Sequence, residues 1–121
     1  MKMKIKDILR VTNGELVVGK EELECNEFSK DTRTIKEKDV YIGIKGESFD
    51  GNNFYKDAFD KGASVCILDN IDIKEIPDNY KNKTIVKVEN TSIIGSILVI
   101  IFYTFITILF YIIKKILKKK V

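Results

Sequence analysis

Histidine is absent from these 121 residues, cysteine occurs twice and proline once. Without histidine the chain lacks the usual general base at neutral pH and the commonest metal ligand, so a Ser-His-Asp triad and any histidine-containing zinc site are excluded. The two cysteines, Cys25 and Cys66, are far apart in sequence. Cys66 sits in the apolar run Val65-Cys66-Ile67-Leu68, which reads as a buried strand, and both are read as reduced thiols rather than a disulfide. Acidic residues are missing from the last part of the chain: all 18 precede position 93. Sixteen of the 21 basic residues lie there too, so residues 1–92 carry a net −2, while the remainder carries five lysines and no acid, a net +5. The overall +3 belongs to the tail. The body has no basic excess to attract a phosphate backbone, which argues against nucleic acid as a partner. The start, Met1-Lys2-Met3-Lys4-Ile5-Lys6, is basic, but Asp7, Arg10, Asn13 and Glu15 leave no apolar stretch after it, and no signal peptide is expected.

The residues that are present read as a small α/β domain. Ile5, Ile8, Leu9 and Thr12 have helical spacing, with Asn13-Gly14 as a C-cap. Glu15 to Val18 reads as a short strand and Leu23 to Phe28 as a second. Val40, Ile42 and Ile44 alternate with Tyr41, Gly43 and Lys45, the pattern of a half-buried strand. The segment 46–53 is a loop with an Asp-Gly turn signal. Asn53 is placed to cap a helix whose apolar face is Phe54, Ala58 and Phe59, and Lys61-Gly62 ends it. Ser64–Leu68 and Thr84–Val88 read as further strands, joined by a polar stretch containing Pro77. Strand–helix–strand alternation with short connections gives the fold class.

Residues 93–113 carry no charge, and 15 of these 21 positions are Ile, Leu, Val or Phe. As a helix the run would be about 32 Å long, which predicts one C-terminal transmembrane helix. Lys114, Lys115, Lys118, Lys119 and Lys120 make 114–121 a polybasic tail. The expected organisation is therefore a domain over 1–92, a span over 93–113 and a flank over 114–121, with a single-pass membrane location. The tail's vocabulary, mostly Ile, Phe, Tyr, Leu, Thr and Lys, is also that of A/T-rich codons, which a frameshift would produce.

The chemistry-bearing residues lie between Ser29 and Val65. Asp31-Thr32-Arg33 reads as a turn offering a hydroxyl and a cation. A strand comes next, and at its end lies a glycine loop, Lys45-Gly46-Glu47-Ser48-Phe49-Asp50-Gly51. Ligands of α/β folds gather at such strand ends. Loop glycines let the backbone approach a ligand, and free N–H groups bind anionic oxygens. Arg33 and Lys45 suit a diphosphate, and Thr32 and Ser48 suit a uracil or ribose edge. Each turn alone is an ordinary surface feature.

Their ordered combination is specific. Asp31-Thr32-Arg33, Asp39-Val40-Tyr41-Ile42-Gly43-Ile44-Lys45-Gly46, Asp50-Gly51-Asn52-x-Phe54 and Ala58-x-x-x-Gly62-Ala63 together resemble the N-terminal domain of the Mur ligases, the ATP-dependent amide-forming enzymes of peptidoglycan precursor synthesis. The wording Lys-Gly-Glu-x-Phe-Asp-Gly looks most like the member that adds D-alanyl-D-alanine to the UDP-MurNAc-tripeptide, with the member adding a diamino acid as runner-up. The resemblance covers about residues 3–91. It implies that this domain docks the UDP of a UDP-MurNAc-peptide, through Asp31, Thr32, Arg33, Lys45, Gly46, Glu47, Ser48 and Phe49. Asn52 stands where histidine is common in the family. The family also uses ATP and magnesium, held by a Gly-Lys-Thr/Ser loop and acids of a central domain. No Gly-Lys-Thr/Ser occurs here, so no cofactor, no metal and no catalytic residue are expected in this chain.

The sequence leaves three readings open. One is a ligase docking domain cut off before its ATP-binding domain, inactive alone. Another is a membrane-tethered module that holds UDP-MurNAc-peptides without ligase activity. The last is a small membrane protein that kept the fold and lost the ligand.

Overall fold

A computed structural model describes residues 3–119, apart from the side chains of 94–99, 101 and 102. In chain order the elements are β1 (Met3–Lys4), α1 (Ile5–Thr12), β2 (Glu15–Val18), β3 (Glu24–Cys25), β4 (Phe28–Ser29), β5 (Val40–Ile42), α2 (Tyr55–Asp60), β6 (Val65–Leu68), β7 (Thr84–Lys87) and α3 (Thr91–Lys119). β1 pairs with β3. The other strands form one sheet in the order β2-β7-β6-β5-β4. β4, β5, β6 and β7 are mutually parallel, and β2 is an antiparallel edge on β7.

Strand alternation sorts the core onto the two faces of this sheet. Val40, Ile42, Val65, Ile67, Val86 and Val88 pack with Ile5 and Ile8 of α1 on one face. Tyr41, Cys66, Leu68 and Ile85 pack with Tyr55, Ala58 and Phe59 of α2 on the other. Covering both faces explains why β5 is buried at every position and not half-buried as its alternation suggests. The helix over 5–12, its left-handed cap at Asn13 (φ 53°) and the strands at 15–18, 65–68 and 84–87 lie where the pattern puts them.

Three local expectations change. The strand expected over Leu23–Phe28 is two short strands in different sheets, β3 against β1 and β4 against β5, so the chain changes sheet at Asn26-Glu27. Asp50, not Asn53, caps the turn entering α2; its carboxylate accepts from Asn52 N. The buried face of α2 starts at Tyr55, and Phe54 is exposed, because a 3-10 turn over Gly51–Phe54 rotates the helix start.

The membrane expectations are corrected. The apolar run does form a helix, capped by Asn90, whose side chain accepts from Ser92 N and Ile93 N. Among the described residues, however, no helix is long and apolar enough to cross a membrane. The uncharged stretch with described side chains, 103–113, contains Tyr103, Thr104, Thr107 and Tyr111 and runs directly into Lys114, Lys115, Lys118 and Lys119. Some side chains of the expected span are not described, and Lys120 and Val121 of the polybasic tail lie outside the described residues. The transmembrane helix, the single-pass location and the membrane as a partner are withdrawn together.

Candidate functional site

β4 and β5 are parallel neighbours, so the connections leaving their carboxyl ends emerge side by side. The first carries Lys30 to Thr34 and the second Gly43 to Asp50. Between them lies a cavity of about 430 Å³, lined by Lys30, Asp31, Thr32, Arg33, Tyr41, Ile44, Gly46, Phe49 and Phe54.

The first wall is a 3-10 turn over Thr32–Thr34, built as Ser and Asp residues build turns. Asp31 caps it by accepting from Arg33 N at 2.9 Å. Ser29 Oγ sits 3.0 Å from the Asp31 carbonyl and 2.8 Å from Thr34 Oγ1, tying the strand end to the turn. The Arg33 guanidinium folds back on Asp31, with Nε 3.1 Å from both carboxylate oxygens and Nη2 2.8 Å from Oδ2. These hydrogen bonds, the side-chain ones first, hold the Asp31 carboxyl down at about 2. The pair is solvent-exposed and nearly neutral as a unit. Lys30 makes no ion pair among the described residues, so it is the uncompensated positive charge on this wall.

The second wall is a tight loop closed by a bridge between Lys45 and Asp50. Gly46 N donates to the Phe49 carbonyl at 2.8 Å, and Gly51 N to the Ile44 carbonyl at 2.9 Å. Those two glycine amides are therefore engaged within the loop and are not among its free N–H groups. The amides of Glu47, Ser48 and Phe49 have no acceptor among the described residues. Gly51 is required sterically, since a Cβ there would lie 2.6 Å from the backbone N and O of Ile44.

The floor is aromatic. Tyr41 rises from β5, its hydroxyl donating to the Gly51 carbonyl at 2.8 Å, and burial pushes its phenol up to about 12. Phe49 and Phe54 meet edge to face at 6.3 Å between ring centroids, and both are substantially exposed at the cavity rim. A half-open aromatic rim with polar turns on two sides can take a flat ring against Phe49 and hydrogen-bond its edge from Thr32, with a cation at hand for an attached anion.

The comparisons with known proteins bear on this arrangement. No family model matches the chain. By sequence it is 32% identical over 101 residues to UDP-N-acetylmuramoyl-L-alanyl-D-glutamate–2,6-diaminopimelate ligase 2 of Clostridium acetobutylicum, covering 84% of this chain and 20% of that enzyme. It is 27% identical over 92 residues to UDP-N-acetylmuramoyl-tripeptide–D-alanyl-D-alanine ligase of Bacillus subtilis, covering 75% of this chain and 19% of that enzyme. The homologues of this chain are Mur ligases. The chain spans about a fifth of the length of the curated relatives it matches. The fold agrees: the UDP-N-acetylmuramoylalanyl-D-glutamyl-2,6-diaminopimelate–D-alanyl-D-alanyl ligase of Acinetobacter baumannii superposes with a TM-score of 0.60 at 22% identity, over 78% of this chain and 20% of that one.

Five of the eight residues singled out in the sequence line the cavity: Asp31, Thr32, Arg33, Gly46 and Phe49. Lys45, Glu47 and Ser48 are on the same loop, outside the lining. Lys30, Tyr41, Ile44 and Phe54 line it without having been singled out. Their signal was partly present: Lys30 precedes the Asp-Thr-Arg turn at the same strand end, and Phe54 belongs to the Asp50-Gly51-Asn52-x-Phe54 motif of the Mur ligases. Tyr41 and Ile44 fall on opposite sides of the expected strand alternation, so the pattern did not group them; β5 ends at Ile42, before Ile44. Among the described residues no group of three or more His, Cys, Asp or Glu could hold a metal ion.

Proposed function

We propose that this chain docks the nucleotide end of a UDP-N-acetylmuramoyl-peptide and carries out no amide ligation by itself. The observation that supports this best is the two-loop cavity, which sets a hydroxyl turn, a lysine and an exposed aromatic pair around one space in a domain homologous to enzymes named for such substrates. In this reading the uracil lies against Phe49 and meets Thr32, while Lys30, Arg33 and Lys45 face the diphosphate, with the acceptor-free amides of Glu47, Ser48 and Phe49 as further donors. Binding is weak, because most of such a ligand projects into solvent beyond a cavity of about 430 Å³. ATP and magnesium take no part in this chain, which has no Gly-Lys-Thr/Ser loop to cradle a triphosphate.

NMR titration of the chain with UDP-N-acetylmuramoyl-tripeptide tests the reading. Amide shifts should concentrate at residues 30–33 and 45–52 and should be lost in Thr32→Val. Unchanged spectra at millimolar ligand would end it.

A further inference from the structure

Beside the cavity, on the same carboxyl edge of the sheet, a second set of polar groups is paired around the buried Asn52 and Thr91, with Asp50 and Asp69 half-buried between them. Asn52 is 3% exposed. Its Nδ2 donates to Asp50 Oδ1 at 2.7 Å and to Asp69 Oδ1 at 2.8 Å. Its Oδ1 accepts from Asp69 N at 2.9 Å and Asn70 N at 3.2 Å. All four positions of the amide are used, which no carboxylate or apolar side chain of similar size could do. The other oxygen of Asp69 accepts from Thr91 N at 3.2 Å and lies 3.0 Å from Thr91 Oγ1, and that hydroxyl is also 2.8 Å from the Gly43 carbonyl. Thr91 is fully buried and is the first residue of α3. At the other end of the chain of bonds, Asp50 faces Lys45 across the base of the cavity loop.

We propose that Asn52 is a positioning residue that couples the Lys45–Asp50 loop to Thr91, so that order in the cavity rim and order at the start of α3 rise and fall together. Each link depends on the one before it. The Thr91 amide belongs to the first helical turn and has no intrahelical acceptor, so it relies on Asp69. Asp69 is oriented by Asn52, and Asn52 by the carboxylate of Asp50, a residue of the backbone bridge that closes the loop. Both acceptors of the Asn52 Nδ2 group are carboxylates, so these two bonds are charge-assisted, and a polar network shielded from water loses most when one member is removed. Gly43 adds a second route, because its carbonyl meets Thr91 while its own Cα packs under Gly51: a Cβ there would lie 3.0 Å from the Gly51 carbonyl carbon. The coupling itself is a property of the ligand-free fold; that a ligand drives it rests on the docking role proposed above.

Amide hydrogen exchange on the full chain tests both parts. In the wild-type protein the Gly46, Gly51 and Thr91 amides should share one opening free energy as urea is raised, and clearly separate values would overturn the coupling. In Thr91→Val the Gly46 and Gly51 amides should exchange about fivefold faster or more, with core amides of Val65 and Val86 unchanged, while Thr91→Ser keeps wild-type rates. Wild-type loop rates in a folded Thr91→Val chain would likewise refute it. Asn52→Ala gives the reciprocal reading at the Thr91 amide. Adding uridine diphosphate should then slow exchange at Thr91 as well as in the loop. Loop protection without any change at Thr91 counts against the coupling. No protection anywhere counts against the docking role alone, and the ligand-free comparisons still decide the coupling.

Discussion

At the level of single residues, the site is held by groups whose geometry leaves little choice. Gly51 is one: adding a Cβ 2.6 Å from the backbone of Ile44 forces main chain apart where two segments touch. Gly51→Ala should cost about 1–3 kcal/mol in urea denaturation, more than a typical exposed glycine substitution. The Asp31–Arg33 pair is another. The Asp31 carboxyl is held near 2, below its ordinary 3.8, chiefly by hydrogen bonds from Arg33. A lowered carboxyl favours the folded turn above the ordinary value, and this preference fades as pH falls from about 3.8 through about 2. Carbon-detected NMR titration should place the Asp31 midpoint near 2 in the native chain, and Arg33→Gln should return it toward 3.8; an Asp31 midpoint already at 3.8 would contradict the pairing. These details explain the mixed outcome for the site in the sequence. Asp31, Thr32 and Arg33 form one turn and are legible together. Glu47 and Ser48 share a loop with Phe49 but stand outside the cavity lining, because the Gly46 N to Phe49 carbonyl bond folds the loop on itself and brings Phe49 back to the rim.

At the level of elements, burial on both faces of the sheet dominates. β6 is buried at all four positions between β5 and β7. Ile67→Ala in its middle should destabilise the chain by about 2–5 kcal/mol, whereas Ile73→Ala, at an exposed position, should stay within about 0.5 kcal/mol. Equal urea midpoints for the two variants would show that the two-layer core is wrong. α3 is the element whose sequence pattern misled. Its 29 residues are helical as the composition demands, and Thr107 Oγ1 donates back to the Tyr103 carbonyl at 2.9 Å within it. Among the described residues no helix is long and apolar enough to cross a membrane, and the beginning of α3 is anchored to the domain by the buried Thr91. A hydropathy run reports composition over a window and carries no information about where a helix is tied down.

For the whole molecule, the absence of a triphosphate-binding loop bears on activity. Incubation of the chain with UDP-N-acetylmuramoyl-tripeptide, D-alanyl-D-alanine, ATP and magnesium should release phosphate at the uncatalysed rate. Release above that background, abolished by removing the dipeptide, would show a nucleotide site in this fold that its sequence does not announce. α1 and α2 cover the two faces of the sheet, and the cavity lies among the connections at its carboxyl edge.

Local chemistry determined the turns, the caps and most strands. Asn13 takes a left-handed cap, Gly62 ends α2 at φ 114°, and short apolar runs place 65–68 and 84–87, because each depends on neighbours within a few residues. The family motifs, whose spacing is itself a sequence property, marked both walls of the cavity. Tertiary structure alone decided the rest. Strand order made β4 and β5 parallel neighbours and so brought residues 30–34 against 43–54. Tyr41 and Ile44 both came to line the cavity, and the Asn52 amide found partners 17 and 18 residues away at Asp69 and Asn70. Contacts between distant segments depend on how the sheet closes over its core, and no window of sequence contains that information.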